Sequence, residues 1–263
     1  MNNTLIMFAI AAAFTAFSCA PSKETAAEVP GAAPAPITAS FTMLTVNLGH
    51  GLKDKTDVRA FAEWVKKSGA EVVAVQQIER ATDSKPGFDA YMELLKRLDM
   101  RGTFAKARYY QGWDSGNALF CLYPMLQSNV FPIPTGKGKV RRAMSFAVFE
   151  LGLKSVAFAS VDLDEEDLGE RAKQVYEIIA VQRTMEEQPM VLAGQFGEPA
   201  GGKATARLSG RYTAANPLAE NLRGVRQHLY VPTGARMEVT AVQRLDYAPL
   251  QQTALLATIT VRQ

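Results

Sequence analysis

Two apolar runs of this chain each end in a glutamine. The stretches "VVAVQQIER" at 72–80 and "MVLAGQFGEP" at 190–199 have the length and composition of buried strands, and polar side chains follow at their ends. The end of a buried strand is where α/β folds place catalytic carboxylates. A carboxylate there holds a divalent cation, whereas a neutral amide holds it weakly and is not a base. Gln77 and Gln195 are therefore suited to hydrogen bonding.

Histidines, the usual proton carriers of hydrolytic sites, are scarce in this chain. There are two, His50 and His228. His228 directly follows Gln227 in a strand-like run, so the two side chains are expected on opposite faces of the strand. His50 lies in the loop after Asn47, and a loop histidine without a partner carboxylate is more often structural than catalytic.

The elements that position these residues alternate between strands and helices in the first half of the chain. "FTMLTVN" at 41–47 predicts a strand, and "DVRAFAEWVKKSG" at 57–69 has the apolar spacing of a helix that ends at its glycine. The strand "EVVAVQ" follows, then a second amphipathic helix around Tyr91 and Leu94. Two further strand-like runs, "GTFAKARYY" and "GNALFCLYPM", are separated by "QGWDS".

The second half also combines strands with a helix. "MSFAVFEL" and "SVAFASVDL" predict a hairpin, "LGERAKQVYEIIAVQRTMEE" a long amphipathic helix, and "PMVLAGQ" a buried strand. The chain ends in three more β-rich runs, "RQHLYVP", "RMEVTAVQRL" and "QTALLATITV". Two α/β halves that each finish in antiparallel strands predict two packed mixed β-sheets flanked by helices.

The first residues predict export rather than structure. "LIMFAIAAAFTAF" is too short an apolar run to span a bilayer comfortably and is typical of a secretory signal. Cys19 follows the small Ser18, as in a lipoprotein signal, where that cysteine is acylated. We therefore expect a lipid-anchored protein of the cell envelope, with residues 1–19 as the signal. An ordinary cleaved signal peptide is the alternative.

Residues 20–39 are rich in Ala and Pro and predict a linker, so residues 40–263 form one domain with a substantial core. If Cys19 is acylated, Cys121 has no partner for a disulfide.

The charges do not predict a polyanionic partner, since 29 Lys and Arg stand against 26 Asp and Glu, and nucleic acid is not expected to bind. The dense basic run "TGKGKVRR" at 135–142 is interpreted as a solvated hairpin tip, with phosphate or an anionic membrane as the alternative. It lacks the glycine spacing of a P-loop. The acidic stretch after Asp162 is interpreted as a solvated loop that caps the next helix.

Short motifs at the predicted strand ends occur in an order that resembles one known family. They are "TVNLGHG", "VQQ", "SGNALFC", "VDLD" followed by an "RxxQ" pair at Arg171 and Gln174, "GQFG", "RQHLY" and "LDYAP". From residue 41 to 261 this order resembles the endonuclease/exonuclease/phosphatase superfamily. The resemblance implies a DNase I-like four-layer sandwich. The activity typical of that family is metal-dependent phosphodiester hydrolysis.

The resemblance also places a degenerate form of the family site in this chain. Its positions are Asn47, Gln77, Asn117, Asp162, Gln195, Gly197, Gln227, Asp246 and Tyr247. Gln77 stands where the family has its metal-binding glutamate, and Tyr247 where it has the general-base histidine. Gln195 and Gly197 replace an aspartate and an asparagine, and Asp162 replaces a histidine.

These departures predict that metal-dependent hydrolysis is lost. Phosphodiester hydrolysis of this kind needs carboxylates for a hard cation and a base for the attacking water. We therefore expect no intact catalytic residues and no cofactor, and a non-catalytic module that binds a protein or another envelope ligand. The alternative is a Mg²⁺- or Mn²⁺-dependent phosphodiesterase or nuclease with relocated ligands such as Asp162, Asp246 and His50.

Overall fold

Two six-stranded sheets form the centre of the molecule. The structure is a computed structural model, and it describes residues 38–152, 154–185 and 188–262. The first sheet has the strand order β11-β12-β1-β2-β4-β3. Its strands are β1 (Thr38–Asn47), β2 (Val72–Arg80), β3 (Arg101–Tyr110), β4 (Trp113–Cys121), β11 (Met237–Tyr247) and β12 (Gln252–Arg262).

The second sheet has the order β5-β6-β7-β8-β10-β9. Its strands are β5 (Met125–Ile133), β6 (Arg142–Leu151), β7 (Lys154–Asp162), β8 (Met190–Gln195), β9 (Tyr212–Ala214) and β10 (Gln227–Pro232). One pair of neighbours in each sheet is parallel, β1 with β2 and β7 with β8, and the other pairings are antiparallel.

Within the described residues, three α-helices cover the outer faces: α1 (Lys55–Ser68), α2 (Ala90–Leu98) and α3 (Leu168–Arg183). Each begins at an aspartate whose side chain accepts first-turn N–H groups, which are otherwise left without partners: Asp54, Asp89 and Asp167. Gly69 ends α1 in the left-handed conformation, as its sequence predicts. Among the described helices, none is long and apolar enough to cross a bilayer.

The apolar side chains form three clusters that define four layers. One lies between the first sheet and helices α1 and α2, one between the two sheets, and one between the second sheet and α3. Phe61 and Leu94 belong to the first, Phe41 and Phe158 to the second. The predicted four-layer sandwich of two mixed sheets flanked by helices is therefore confirmed.

Some local predictions differ from the structure. Strand β1 begins at Thr38, so the last two residues of the predicted linker belong to the domain. Strands β5 and β9 were not predicted, and Trp113, in the predicted "QGWDS" connection, starts β4. The signal peptide, Cys19 and most of the linker lie outside the described residues, and Cys121 is a buried free thiol.

The parallel pairs bring polar strand ends together. Asn47 at the end of β1 is opposite Gln76 of β2, and Asp162 at the end of β7 is opposite Gln195 of β8. Gln195 is in turn opposite Gln227 of β10. The carboxyl ends of parallel strands meet at one edge of a sheet, where open α/β folds place their ligands.

Candidate functional site

A small pocket lies between the two sheets at these strand ends. It is lined by Gln77, Ala107, Arg108, Ser115, Gly116, Asn117, Arg141, Arg142 and Asp162. The volume open to the centre of a water molecule is about 10 Å³, which is the room that one water needs. The site is therefore nearly filled by its own side chains.

The pocket contains one carboxylate, and two neighbours bind it. Arg142 Nη1 donates to Asp162 Oδ2 at 2.5 Å, and Gln77 Nε2 donates to the same oxygen at 3.1 Å. Burial raises the pKa of the Asp162 carboxyl, while the Arg142 guanidinium and the Gln77 amide act in the opposite direction. Asp162 is thus held inside the protein by a cation from its own chain.

Gln77 reaches Asp162 because β2 is irregular at this point. The pairing of β2 with β4 shifts register between Val75 and Ile78, and Gln77 has a φ of 55°. A bulge of this kind redirects a side chain at the end of a strand. Gln76 and Gln77 consequently both point toward the second sheet, where they meet different partners.

The two asparagines of the predicted site bind backbone groups. Asn117 Nδ2 donates to the Ala143 carbonyl oxygen at 2.7 Å, which links β4 to β6. Asn47 Oδ1 accepts the N–H of Gly49 at 2.9 Å and shapes the turn after β1. Both contacts stabilise the fold and need no ligand.

Gln227 belongs to a buried network of neutral groups. Its Nε2 lies 2.7 Å from both Thr45 Oγ1 and Gln76 Oε1, and Gln76 Nε2 donates to Ser160 Oγ at 2.9 Å. Thr45 and Gln76 come from the first sheet, Ser160 and Gln227 from the second. The network joins the two sheets beside the pocket and contains no charged side chain.

Gln195 and Gly197 lie on the acidic side of the site. Gln195 Nε2 donates to Glu165 Oε1 at 3.3 Å. Gly197 has a φ of 71°, and a Cβ atom there would lie 2.4 Å from the Asp164 carbonyl oxygen. The chain therefore cannot carry an asparagine side chain at position 197 without a local shift.

The "RxxQ" pair of α3 fixes the loop between β7 and α3. Arg171 Nη1 donates to the Asp164 carbonyl oxygen at 2.6 Å, and Gln174 Oε1 accepts the Asp164 N–H at 2.8 Å. Arg171 also pairs with the buried Glu198, whose Oε1 accepts two backbone N–H groups. Asp164 is buried, and Asp167 caps α3 as predicted, so the acidic stretch is only partly solvated.

His228 points away from the pocket, as strand alternation predicts. Its Nε2 lies 2.6 Å from the Glu198 carbonyl oxygen, and its ring packs on Phe196 and Tyr230. Burial lowers the pKa of His228 from 6.5 to about 4. The ring is therefore neutral and structural at physiological pH.

His50 has a partner carboxylate, Glu79, which its position in a loop did not predict. Its Nδ1 lies 3.0 Å from Glu79 Oε1, its Nε2 lies 2.9 Å from Arg108 Nη2, and its ring stacks on Tyr110 at 4.1 Å. Arginine only donates, so Nε2 is the acceptor and the proton is on Nδ1, directed at Glu79. His50 is thus a neutral support for Arg108, and its basic nitrogen is occupied.

Asp246 and Tyr247 do not line the pocket, which corrects their predicted place in the site. Asp246 is exposed and accepts hydrogen bonds from Arg244 and Thr253. Tyr247 is buried on the helix side of the first sheet, with its ring 5.2 Å from Phe61 and 5.1 Å from Trp64. Its size and apolarity fit this core position.

Three arginines of the pocket were not among the predicted site residues. Arg142 belongs to the basic run interpreted as a solvated tip, but its side chain is only 10% exposed and pairs with Asp162. Arg108, from "GTFAKARYY", and Arg141 line the same pocket. The dense basic run could have indicated Arg141 and Arg142. Arg108 is a single arginine in a β-rich run, and no sequence pattern indicates it.

The residues present do not fit a divalent metal ion. Around the pocket stand three guanidiniums, neutral amides and a hydroxyl, with one carboxylate. In the described ranges, no group of three or more His, Cys, Asp or Glu side chains is placed to hold a metal. Mg²⁺ and Mn²⁺ prefer carboxylate oxygens, and neighbouring guanidiniums repel them.

Comparisons with known proteins identify the fold. A scan against protein-family models finds no match, and a search of curated proteins finds none. Solved structures do match. An endonuclease/exonuclease/phosphatase from Beutenbergia cavernae aligns with a TM-score of 0.68 at 13% identity, over 84% of this chain and 72% of that chain.

Two further matches have nearly full coverage of the other chain. An endonuclease/exonuclease/phosphatase family protein from Leptotrichia buccalis aligns with a TM-score of 0.68 at 13% identity, over 83% of this chain and 99% of that chain. A mannosyl-6-phosphatase of Bacteroides thetaiotaomicron aligns with a TM-score of 0.62 at 13% identity, over 83% and 99%. At this identity the likeness concerns the fold alone.

Proposed function

We propose that this chain, which has the endonuclease/exonuclease/phosphatase fold, is a non-catalytic binding module of the cell envelope that receives an oxyanion group at its pocket mouth. One observation carries the proposal: three guanidiniums and one carboxylate surround the pocket. That balance disfavours a divalent cation and favours an anion. The envelope location rests on the signal-like segment and on Cys19 as its lipid anchor.

Arg108 and Arg141 are the groups that would meet the anion. Arg142 is neutralised by Asp162, whereas neither Arg108 nor Arg141 forms an ion pair with a carboxylate of the described residues. The Arg108 guanidinium is partly buried, and such a group without a counterion is costly, so an oxyanion from outside offsets that cost. Because the interior of the pocket has room for about one water, the ligand presents a single group at the mouth.

Arg108 is positioned before any ligand arrives. His50 accepts from its Nη2, Glu79 orients His50, and the Arg108 Cζ atom lies 5.4 Å from the centre of the Tyr110 ring. A guanidinium fixed in this way loses little side-chain freedom on binding. Among the described residues, the other N–H groups of Arg108 have no hydrogen-bond partner, so they can bind two oxygens of one anion.

Titration calorimetry of the purified protein with inorganic phosphate and with sulfate tests this proposal. We expect Arg108→Gln to weaken binding at least tenfold, and Arg59→Gln, a matched change on the exposed surface of α1, to leave it unchanged. Cosedimentation with vesicles of phosphatidylglycerol, against phosphatidylcholine, asks whether a lipid phosphate is a source of the group. No binding of either anion, or equal binding by both variants, contradicts the proposal.

The alternative, a rearranged metal-dependent phosphodiesterase, draws on the His50–Glu79 pair, since a histidine oriented by a carboxylate is a common general base. Against it, Asp162 lines the pocket while His50 and Asp246 do not, and Arg108 occupies His50 Nε2. Hydrolysis of bis(p-nitrophenyl) phosphate with Mg²⁺ or Mn²⁺ separates the two functions. We expect no turnover, and turnover abolished by His50→Ala would establish the alternative.

A further inference from the structure

Asp162 is a buried carboxylate whose charge must be balanced within the protein. It ends β7 between the two sheets, and its side chain is 9% exposed. An isolated charge in such a place is very unfavourable, so buried carboxylates are paired or bind metal ions. The balancing cation here is the Arg142 guanidinium, 2.5 Å from Oδ2.

We propose that Arg142 is a built-in cation that takes the place of the metal ion on which the fold family relies. The guanidinium comes from the first residue of β6 and reaches the carboxylate from inside the pocket. It supplies a permanent positive charge between the two sheets. A divalent ion and this guanidinium compete for the same oxygen, so the chain holds one and excludes the other.

Gln77 is the second half of this replacement. Two donors meet at Asp162 Oδ2, and because that oxygen accepts from Arg142, the Gln77 amide must present its NH₂ group there. The Gln77 amide thus directs its N–H donors, and not its oxygen, toward the position that a metal ion would occupy. A glutamate at position 77 would face Asp162 as a second negative charge that one guanidinium cannot balance.

The position of Arg142 is fixed on both sides along the chain. Its neighbour Ala143 accepts from Asn117 of the other sheet. Upstream, the basic loop is attached to α3, since the Gly136 N–H donates to Glu170 and Lys139 pairs with Asp167. The guanidinium is therefore a constant part of the interior and not a mobile surface side chain.

Thermal unfolding of the full chain with and without millimolar Mg²⁺ or Mn²⁺ tests the inference, with calorimetry as the direct measure of metal binding. The wild type should show neither heat nor a change in Tm with either ion. Arg142→Met should lower Tm by roughly 10 °C because it leaves Asp162 unpaired. The matched control Arg59→Met, at an exposed arginine of α1 without a described carboxylate partner, should change Tm little.

The decisive variant is Gln77→Glu combined with Arg142→Met, which restores a pair of carboxylates and removes the guanidinium. Mn²⁺ should bind it with measurable heat and raise its Tm by roughly 5 °C. If Arg142→Met does not fold, Arg142→Lys with Gln77→Glu tests the same point, and Mn²⁺ should then leave its Tm unchanged because the cation is retained.

Three results would overturn the inference: metal binding by the wild type, equal Tm values for Arg142→Met and Arg59→Met, or no response of the double variant to either ion. The inference does not depend on ligand binding at the mouth, which is measured with phosphate and Arg108→Gln. The inference about Arg142 can therefore fail without contradicting the proposed anion binding, and the reverse also holds.

Discussion

Gln227 donates its side-chain amide to Gln76 Oε1 at 2.7 Å, across the boundary between the two sheets. The same amide nitrogen lies 2.7 Å from Thr45 Oγ1, and both glutamines are buried. A network of this kind is stable because every group is neutral and has a partner. The boundary between the two sheets is therefore uncharged at this point.

A negative charge introduced at position 227 should therefore be destabilising. We expect Gln227→Glu to lower the free energy of unfolding by about 3 kcal/mol at pH 7, because the carboxylate loses both donor contacts and is buried without a counterion. Burial raises the pKa of such a carboxyl, so the loss should shrink toward pH 4 as the group is protonated. Urea denaturation at both pH values measures this, with the exposed Gln243→Glu as the matched control.

The buried His228 should make stability depend on pH. Its pKa is about 4 in the folded protein against 6.5 as its ordinary value, because the ring is desolvated. Nδ1 has no partner among the described residues, so a second proton has no acceptor there. The unfolded chain binds the proton first as pH falls, so this contribution is complete above pH 6.5 and is lost toward pH 4.

The size of this effect is roughly 3 kcal/mol, which follows from a pKa of about 4 in the folded protein against 6.5 for the ordinary group. His228→Gln keeps an N–H donor for the Glu198 carbonyl but cannot be protonated, so its unfolding free energy should fall less between pH 7 and pH 5. Urea denaturation across that range measures both proteins. If the unfolding free energies of the wild type and His228→Gln fall equally between pH 7 and pH 5, His228 is not the source of the pH dependence.

Gly197 should resist the side chain that the family pattern has at this position. Gly197→Asn brings a Cβ within 2.4 Å of the Asp164 carbonyl oxygen and also meets the Arg171 guanidinium. We expect a loss of about 2–3 kcal/mol in unfolding free energy. Gly201→Asn is the matched control, because it has a similar φ of 78° with nothing within 4 Å, and it should cost about 1 kcal/mol. Equal losses would show that backbone strain alone is responsible.

The fold could be predicted from the sequence because its strands and helices have strong local patterns. Helix α1 has an apolar stripe, an aspartate before its first turn and Gly69 at its end. Strand β5 could not be predicted, since "MLQSNVFPI" contains a proline and its residues are mostly exposed along one edge of the second sheet. Strand β9 is only three residues long and depends on β10 for its pairing.

The site was predictable only where a motif identified a strand end. Gln77 and Asp162 meet as their motifs suggest, but Arg142 depends on a tertiary contact with a residue twenty positions away. The partners His50 and Glu79 are 29 positions apart and belong to no shared pattern. The prediction for Tyr247 was wrong. Its motif lies at a strand end, but its large apolar side chain packs on Phe61 of α1 and not in the pocket.

The contact between Glu79 and His50 should control anion binding through Arg108 without touching the ligand. Glu79→Ala removes the acceptor for His50 Nδ1, so the histidine no longer holds Arg108 in place. We expect phosphate affinity to fall about fivefold, equivalent to about 1 kcal/mol. Glu79→Gln keeps an acceptor oxygen at the same place and should bind phosphate nearly as the wild type does. Calorimetric titration of both variants measures this difference, while their Tm values report stability separately. If Glu79→Ala lowers Tm but binds phosphate as tightly as Glu79→Gln, the pair is structural and Arg108 is positioned by Tyr110 alone.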